Sequence, residues 1–423
     1  MARGRLFFRI VQVNTMKRFL TYSVSAAVAF SICSCVEKPE KEEKDSLPFE
    51  RSMIMYSAGF TNINNYLNSD IADLENGTYI PEKGSGNSIF IVNKPFKGSY
   101  SKQTSPCIVR LYKQKGQVVR DTVHRFPEGT VMADAGTLRK SLEYIRDSWP
   151  SKSYGLVVSS HGTGWVPEGY YRYHKQMESE WNASHGNGGH SVSPFSVTHE
   201  YGTGREYEME IEDFAAAIPM HFDYMLFDLC LAGGAETAYA LKDVTSMIGF
   251  SAAEILAEGF DYSNLASRLL TESEINVRGV CEDYFRQYDG YTGAYRSATI
   301  ALVDCSGLDA LAGACRDIFG KYREEIAAVN PDAVQGFFTG DHHWYYDLED
   351  IVRNAGVSGE DMDALRSALE RCILYKAATE SILGIVDINT FCGMSMYLPA
   401  DGSELLETYY RTLSWNRATG LVD

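Results

Sequence analysis

The chain has 423 residues, of which 45% are apolar and 22% are charged, as is usual for a soluble globular protein. The formal net charge is −17, and this argues against nucleic acid as a partner because phosphate binding requires a basic face. An acidic surface is compatible instead with basic peptides. Nine cysteines occur without CxxC pairs or regular spacing, which predicts buried free thiols rather than a disulfide framework.

The N-terminal residues carry the pattern of an export signal. Lys17 and Arg18 precede an apolar run over residues 19–32, which is too short to span a membrane. Ser34 then precedes Cys35, and this order resembles a bacterial lipoprotein signal, which is cut before a cysteine whose thiol receives lipid. The alternative is a plain secretory signal that is cleaved nearby.

We therefore predict a signal peptide and lipobox over 1–35, with Cys35 as the lipid anchor, and a charged tether over 36–50. The membrane is accordingly one predicted partner. The mature protein is expected outside the cytoplasm, in the bacterial cell envelope, as an outer-membrane or surface lipoprotein.

Apolar strands and amphipathic helices alternate from about Arg51 onward. The predicted strands cover 52–60, 87–96, 105–114, 154–160, 222–228, Ser246–Ser251, Ala298–Asp304 and Gly393–Pro399. The predicted helices cover Asn62–Leu74, Met132–Ser148, Gly233–Lys242, Tyr262–Leu270, Glu274–Gln287, Gly307–Tyr322, Glu360–Ala377 and Ser403–Thr412. This alternation predicts an α/β fold, a mostly parallel sheet with helices on both faces.

One core, 51–304, and a C-terminal subdomain of helices and strands, 305–423, are expected to pack together. Residues 166–206 are rich in Gly, Tyr, Ser and His and lack periodicity, so we predict an insertion, lid or processed loop. Four histidines fall in this segment, and their spacing matches no metal-ligand motif, which favours a solvated loop over a metal site: His174, His185, His190 and His199.

Two strand ends carry the side chains that suggest chemistry. His161–Gly162 follows one apolar run, and Cys230 follows another. Ligands of open α/β sheets bind outside the carboxyl ends of the strands, so these groups are expected to share a crevice. Cys230 is the candidate nucleophile, His161 the general acid, and the N–H groups of Gly162 and Cys230 the oxyanion donors. We expect the helix at Gly233 to favour the Cys230 thiolate through its dipole.

Two acids are candidates for substrate binding. Asp228 lies two residues before Cys230, and alternate residues of a strand point to the same face, so its carboxylate is expected beside the nucleophile. In a poorly solvated pocket it would select Lys or Arg before the scissile bond. Glu254 follows the next strand and is predicted to line the same cleft. The alternatives are an acid that satisfies local backbone donors and an ordinary surface acid, respectively.

The order of these motifs resembles the clostripain-like cysteine peptidases, in the caspase-like fold group with gingipains, legumain and separase. The family's Asp-x-Cys and His-Gly motifs match residues 228–230 and 161–162. Segments 345–351 and 393–399 also look like family segments, so the resemblance covers about 51–400. It implies a caspase-like α/β/α sandwich and a cysteine endopeptidase that cleaves peptides or proteins after Arg or Lys with a His/Cys dyad.

Relatives are often matured by internal cleavage after a basic residue, for which Arg172, Lys175 and Arg205 are candidates here. Some relatives depend on calcium, but the sequence has no calcium-loop pattern, and we predict no cofactor. The long 166–206 insertion and Ala232, where many relatives carry Met, depart from the family. The competing hypothesis is a catalytically silent surface lipoprotein that acts as a binding module, although such a module needs neither the His nor the Cys.

Overall fold

The computed structural model describes residues 45, 47–96, 98, 104–184, 199–201 and 206–423, without the side chains of 184, 199–201 and 206. The predicted signal peptide and the Cys35 anchor lie outside these residues. The description below concerns the compact unit within residues 43–423. Within the described residues, no helix combines the length and the apolar character that crossing a membrane requires.

The strands of the described part are β1 (Phe49–Ser57), β2 (Asn87–Asn93), β3 (Cys107–Gln114), β4 (Gln117–Arg125), β5 (Ser151–Ser159), β6 (His199–Tyr201), β7 (Glu206–Glu208), β8 (Tyr224–Asp228), β9 (Met247–Phe250), β10 (Thr299–Asp304), β11 (Tyr346–Asp347), β12 (Ile373–Ala378), β13 (Ser381–Ile382), β14 (Val386–Asp387) and β15 (Ser395–Met396). The helices are α1 (Asn64–Glu75), α2 (Ala135–Ser148), α3 (Tyr170–Ser184), α4 (Ile211–Ala217), α5 (Ala235–Leu241), α6 (Tyr262–Leu270), α7 (Val277–Asp289), α8 (Leu308–Lys321), α9 (Arg323–Ala327), α10 (Leu348–Asn354), α11 (Glu360–Cys372), α12 (Glu404–Tyr410) and α13 (Ser414–Thr419).

A nine-stranded sheet in the order β12-β10-β9-β8-β5-β1-β2-β3-β4 forms the centre of the molecule. Its middle strands, β9-β8-β5-β1-β2, are parallel, and antiparallel strands lie at both edges. Successive residues of β1 face opposite layers: Ile54 and Tyr56 pack toward α2, α4, α5 and α8, whereas Met53 and Met55 pack toward α1, α6 and α7. The predicted α/β/α sandwich with a mostly parallel central sheet is confirmed.

The predicted elements fail mainly at the sheet edges. The helix predicted over Glu360–Ala377 is wrong after Cys372, because residues 373–378 form β12, which pairs antiparallel with β10. Strand β4 was not predicted, since most of its side chains are exposed and it has no apolar alternation. Of the strand predicted over Gly393–Pro399, only Ser395–Met396 pairs, with β11.

Segment 166–206 contains a helix that its sequence pattern did not predict. Helix α3 covers Tyr170–Ser184, with a non-helical residue at Tyr173. His174 is largely buried rather than solvated: its ring lies 5.2 Å from that of Trp344. The side chains of His185, His190, His199 and Arg205 lie outside the described residues.

Candidate active site

The register of two parallel strands brings the predicted dyad together. Ser159 of β5 pairs with Asp228 of β8, and His161 and Cys230 each lie two residues beyond that pair. Because the two strands run parallel and side by side, both side chains emerge at the same sheet edge. They line one cleft of about 800 Å³, which we call the active-site cleft.

Gly162 lies directly against the backbone of Cys230. A Cβ at this position would come within 2.6 Å of the Cys230 carbonyl oxygen and 2.9 Å of the Leu229 Cβ. Any larger residue would therefore push the two strand ends apart. Among the described residues, no backbone or side-chain acceptor takes a hydrogen bond from the Gly162 N–H, so this donor is available to a ligand in the active-site cleft.

The residue after the candidate nucleophile has a strained backbone. Leu231 adopts φ 59°, a left-handed conformation that is costly for a leucine, and its N–H donates to Ala253 O at 3.0 Å. This bond ties the turn after β8 to the loop after β9. The Cys230 side chain is consequently turned toward the active-site cleft at a fixed position.

The Cys230 thiol is half-buried and lies beside the loop after β9. The Ile255 N–H donates to its Sγ at 3.4 Å. Burial raises the pKa of Cys230 to about 12, opposed by the Ile255 hydrogen bond and reinforced by the charges of Glu254 and Asp228. The helix predicted to begin at Gly233 begins at Ala235, five residues after Cys230, so its dipole lies farther from the thiol than expected.

An asparagine that the sequence motifs did not suggest contacts the candidate acid–base. Asn62 Oδ1 lies 2.7 Å from His161 Nε2. This hydrogen bond restrains the plane of the imidazole at the end of β5. Asn62 lies just before α1 and 99 residues before His161, so the two residues belong to no contiguous sequence pattern.

A second, smaller cavity opens behind the dyad, and we call it the inner pocket. Its volume is about 70 Å³, and it is lined by residues of α1, of the β5 and β8 ends and of the loop after β9: Ile63, Leu67, Asp70, Ser159, Ser160, His161, Asp228, Cys230, Ile255, Leu256 and Ala257. Asp228 is 4% exposed, and its Oδ2 accepts hydrogen bonds from Tyr262 (2.7 Å) and Ser159 (3.4 Å). The carboxylate thus lies in the same pocket as the thiol.

Glu254 lines the active-site cleft but is absent from the lining of the inner pocket. Its Oε1 accepts hydrogen bonds from the Tyr171 hydroxyl and from Thr339 Oγ1, both at 3.0 Å. The Tyr171 ring stacks on His342 with centroids 4.0 Å apart. Glu254 therefore joins the start of α3 to the segment around residue 340.

Helix α3 also supplies basic side chains to the active-site cleft. Arg172 and Lys175 both line it, and Lys175 forms an ion pair with Asp341. These are two of the three candidate cleavage positions, and α3 forms one wall of the cleft that contains the dyad.

The family model for the clostripain family matches residues 55–420. The chain belongs to the clostripain family. It is accordingly a cysteine peptidase, which favours the enzyme over the competing hypothesis of a catalytically silent lipoprotein that keeps the same fold. None of the curated proteins searched matches this clostripain-family chain.

Solved structures share the fold of this clostripain-family member. An inactive zymogen protease from Parabacteroides distasonis is 24% identical, with a TM-score of 0.72, covering 88% of this chain and 99% of that one. A secreted cysteine protease from Bacteroides thetaiotaomicron, in complex with an irreversible peptide inhibitor, is 21% identical, with a TM-score of 0.71 and coverages of 88% and 98%. Iotapain, a secreted cysteine protease from B. thetaiotaomicron, has 24% identity, a TM-score of 0.71 and coverages of 88% and 100%. The caspase-like fold is confirmed.

No group of three or more His, Cys, Asp or Glu side chains that would hold a metal ion occurs in the described ranges of this clostripain-family chain. Six of the seven described cysteines are buried free thiols, as predicted, and only Cys230 among them is half-buried.

Proposed function

We propose that the protein is an endopeptidase that cleaves after Arg or Lys with His161 and Cys230 as its catalytic dyad. One observation carries the proposal: the ends of β5 and β8 hold both side chains at one cleft, with the buried Asp228 carboxylate in the pocket behind them. The parallel pairing of the two strands brings the ends together, and a nucleophile and an acid–base at one open cleft are the groups that acyl transfer requires.

The chemistry follows from these positions. Cys230 Sγ attacks the substrate carbonyl carbon while its proton passes to His161, and the C–O π pair moves to the oxygen. The N–H groups of Gly162 and Cys230 stabilise this oxyanion. His161 then protonates the leaving amine as the C–N bond breaks, giving a thioester. Water, deprotonated by His161, hydrolyses the thioester and restores the thiol.

Asp228 supplies the specificity in this proposal. A cationic side chain that enters the inner pocket meets a carboxylate in surroundings that exclude water, where a charge-assisted hydrogen bond is strong. Glu254 lies in the outer cleft, where it adds negative potential toward basic substrates. The net charge of the whole chain, −17, also attracts basic substrates.

The test is hydrolysis of fluorogenic peptides that differ only in the residue before the bond: Arg, Lys, Asp, Asn and Ala. Cleavage confined to the Arg and Lys peptides is the expected result. Cleavage after another residue would keep the peptidase and reject the role of Asp228. Absence of cleavage after limited proteolysis of segment 166–206 would reject the endopeptidase proposal.

We propose further that internal cleavage after a basic residue of segment 166–206 activates the enzyme. The inactive zymogen among the structural neighbours gives a precedent for latency. The Tyr171 hydroxyl donates a hydrogen bond to Glu254, its ring stacks on His342, and Tyr171 lines the active-site cleft together with Cys230. The start of α3 is thereby held over the nucleophile.

Tyr171→Ala should accelerate alkylation of Cys230 by iodoacetamide about 10-fold, because it removes both the hydrogen bond and the stacking that hold α3. Labelling is measured by mass spectrometry of the Cys230 peptide in the uncleaved chain. Tyr173→Ala, on the same helix but 44% exposed, is the control and should change the rate less than twofold. Equal rates in both variants would refute the restraint.

We propose, finally, that the enzyme is a lipoprotein of the bacterial cell envelope, anchored at Cys35 and exposed outside the cytoplasm. The order of Lys17, Arg18, the apolar run and Ser34 supports this, as does the secreted neighbour. Cys35→Ser should abolish incorporation of labelled fatty acid and move the protein from the membrane pellet to the soluble fraction. Cys33→Ser is the matched control, and loss of labelling in it alone would disprove the assignment.

A further inference from the structure

We propose that Asp70 is a second acidic residue of the inner pocket, and that a basic side chain bound there lies between Asp70 and Asp228. The inference rests on the proposed cleavage after basic residues. It adds a specificity-determining residue from α1, far in sequence from the His-Gly and Asp-x-Cys motifs.

Asp70 occupies an inward-facing position of α1. The buried residues of this helix recur three and four apart, and Asp70 falls among Leu67, Ile71 and Leu74 at a position that packing alone would give to an apolar residue. The side chain is only 3% exposed and lines the inner pocket together with Asp228. An acid at such a position needs a reason other than packing.

The two carboxylates present acceptors that the protein itself leaves unused. Asp228 Oδ2 is occupied by the Tyr262 hydroxyl, but Asp228 Oδ1 and Asp70 Oδ2 are both buried and accept no hydrogen bond from the described residues. The groups also repel each other: burial raises the pKa of Asp70 most, and the charge of Asp228 is the next cause, ahead of Asp73 and Glu258. A cation between the carboxylates removes both penalties.

The pocket walls suit the rest of a basic side chain. Ile63, Leu67 and Leu256 line the same cavity, so an aliphatic stem would pack on apolar groups while the charged head reaches the carboxylates. One water-sized group requires about 10–15 Å³, so the volume of about 70 Å³ has room for several atoms of an entering side chain. Both Arg and Lys have enough donors to bridge one oxygen of each acid.

The stability of Asp70→Asn distinguishes a binding role for Asp70 from a purely structural one. Where folding raises the pKa of an acid, that acid lowers the stability of the folded protein as pH increases from the unfolded pKa, about 3.9, through the raised value. Asp70→Asn should therefore have a higher Tm than the wild type at pH 8. A structural carboxylate would give a lower Tm on replacement. Residues of enzyme functional sites commonly lower the stability of the folded protein.

The experiment compares wild type, Asp70→Asn and Asp73→Asn on three peptides with Arg, Lys or citrulline before the bond. Citrulline has the shape of arginine without its charge, and Asp73 is an exposed acid of the same helix. We expect Asp70→Asn to lower the Arg-to-citrulline ratio of kcat/KM by about 10- to 100-fold, mostly through KM, and Asp73→Asn to change it less than threefold.

The outcomes separate the two proposals. A wild type that cleaves the Arg, Lys and citrulline peptides equally would overturn the proposed specificity, and the role of Asp70 with it. A wild-type preference for Arg and Lys that survives in Asp70→Asn would overturn only the role of Asp70. An equal loss on all peptides, or misfolding of Asp70→Asn alone, would also overturn it, because either result indicates a structural role.

Discussion

Cys230→Ala and His161→Ala should each lower the hydrolysis of an Arg-containing peptide by at least about 10⁴-fold. Without the thiol no thioester forms, and without the imidazole the proposed acid–base that takes the thiol proton and returns it to the leaving amine is lost. The measurement is kcat/KM with a fluorogenic peptide, alongside circular dichroism and Tm to show that both variants fold.

The large effect of His161 follows from the state of the thiol. Burial raises the pKa of Cys230, so the neutral thiol is favoured, and in the proposed mechanism its proton passes to His161 as the sulfur attacks the substrate. A histidine oriented by Asn62 is then needed in the same step. Enzymes whose cysteine is already ionised depend less on such a base.

His174→Ala is the control for the imidazole. This histidine also lines the active-site cleft, but it lies on α3 rather than at the end of β5. Its loss should therefore leave the chemistry intact. The Cys230→Ala, His161→Ala double variant should be no slower than either single variant, because the two groups act in one step. Retention of more than about 1% activity in Cys230→Ala would exclude this cysteine as the nucleophile.

Local patterns predicted the dyad because its geometry follows from strand order. The two apolar runs before His161 and Cys230 are buried strands of a parallel sheet, and parallel strands end at a common edge. A motif at the end of each strand is therefore brought to one place by the fold class alone. The position of Asp228 was predicted for the same reason, because it lies at the end of the same strand, two residues before Cys230.

The residues that complete the site come from elements without such a link. Asn62 precedes α1, and Asp70 lies on it. Neither the residue types nor their distance from His161 along the chain indicates that α1 covers the end of β5. One signal was available for Asp70, namely a charged residue within the apolar stripe of an amphipathic helix. That signal marks an anomaly but does not say which site it serves.

Segment 166–206 shows how tertiary contacts decide structure where periodicity is weak. Helix α3 is polar over much of its length, and its start is fixed by partners from a distant segment, including Tyr171 on His342 and Tyr170 near Trp344. Strands β4 and β12 are stabilised by pairing at the sheet edges. Their amino-acid composition is equally typical of helices or loops, so the sequence alone does not indicate that they are strands.

Asp228→Asn should lower kcat/KM for peptides with Arg or Lys before the bond by about 10²- to 10³-fold and leave the citrulline peptide nearly unchanged. Breaking one partner of a buried charge pair costs about 2–5 kcal/mol, which is roughly 30- to 5,000-fold and contains the expected range. The asparagine keeps the size of the side chain and an acceptor for Tyr262, so the variant removes charge with little change in packing. The measurement is the Arg-to-citrulline ratio of kcat/KM.

The pH dependence of that ratio gives an independent check on Asp228. Burial raises the pKa of Asp228 more than its hydrogen bonds from Tyr262 and Ser159 lower it, so the neutral acid is populated on mild acidification. Since only the carboxylate attracts a cation, the wild-type ratio should fall as pH decreases, and this slope should be weaker in Asp228→Asn. Asp223→Asn, at the other end of the β8 segment, is the matched control and should retain both the ratio and its slope. A preference for Arg that is unchanged in Asp228→Asn across the pH range would assign the specificity to another residue of the pocket, and would leave the dyad untouched.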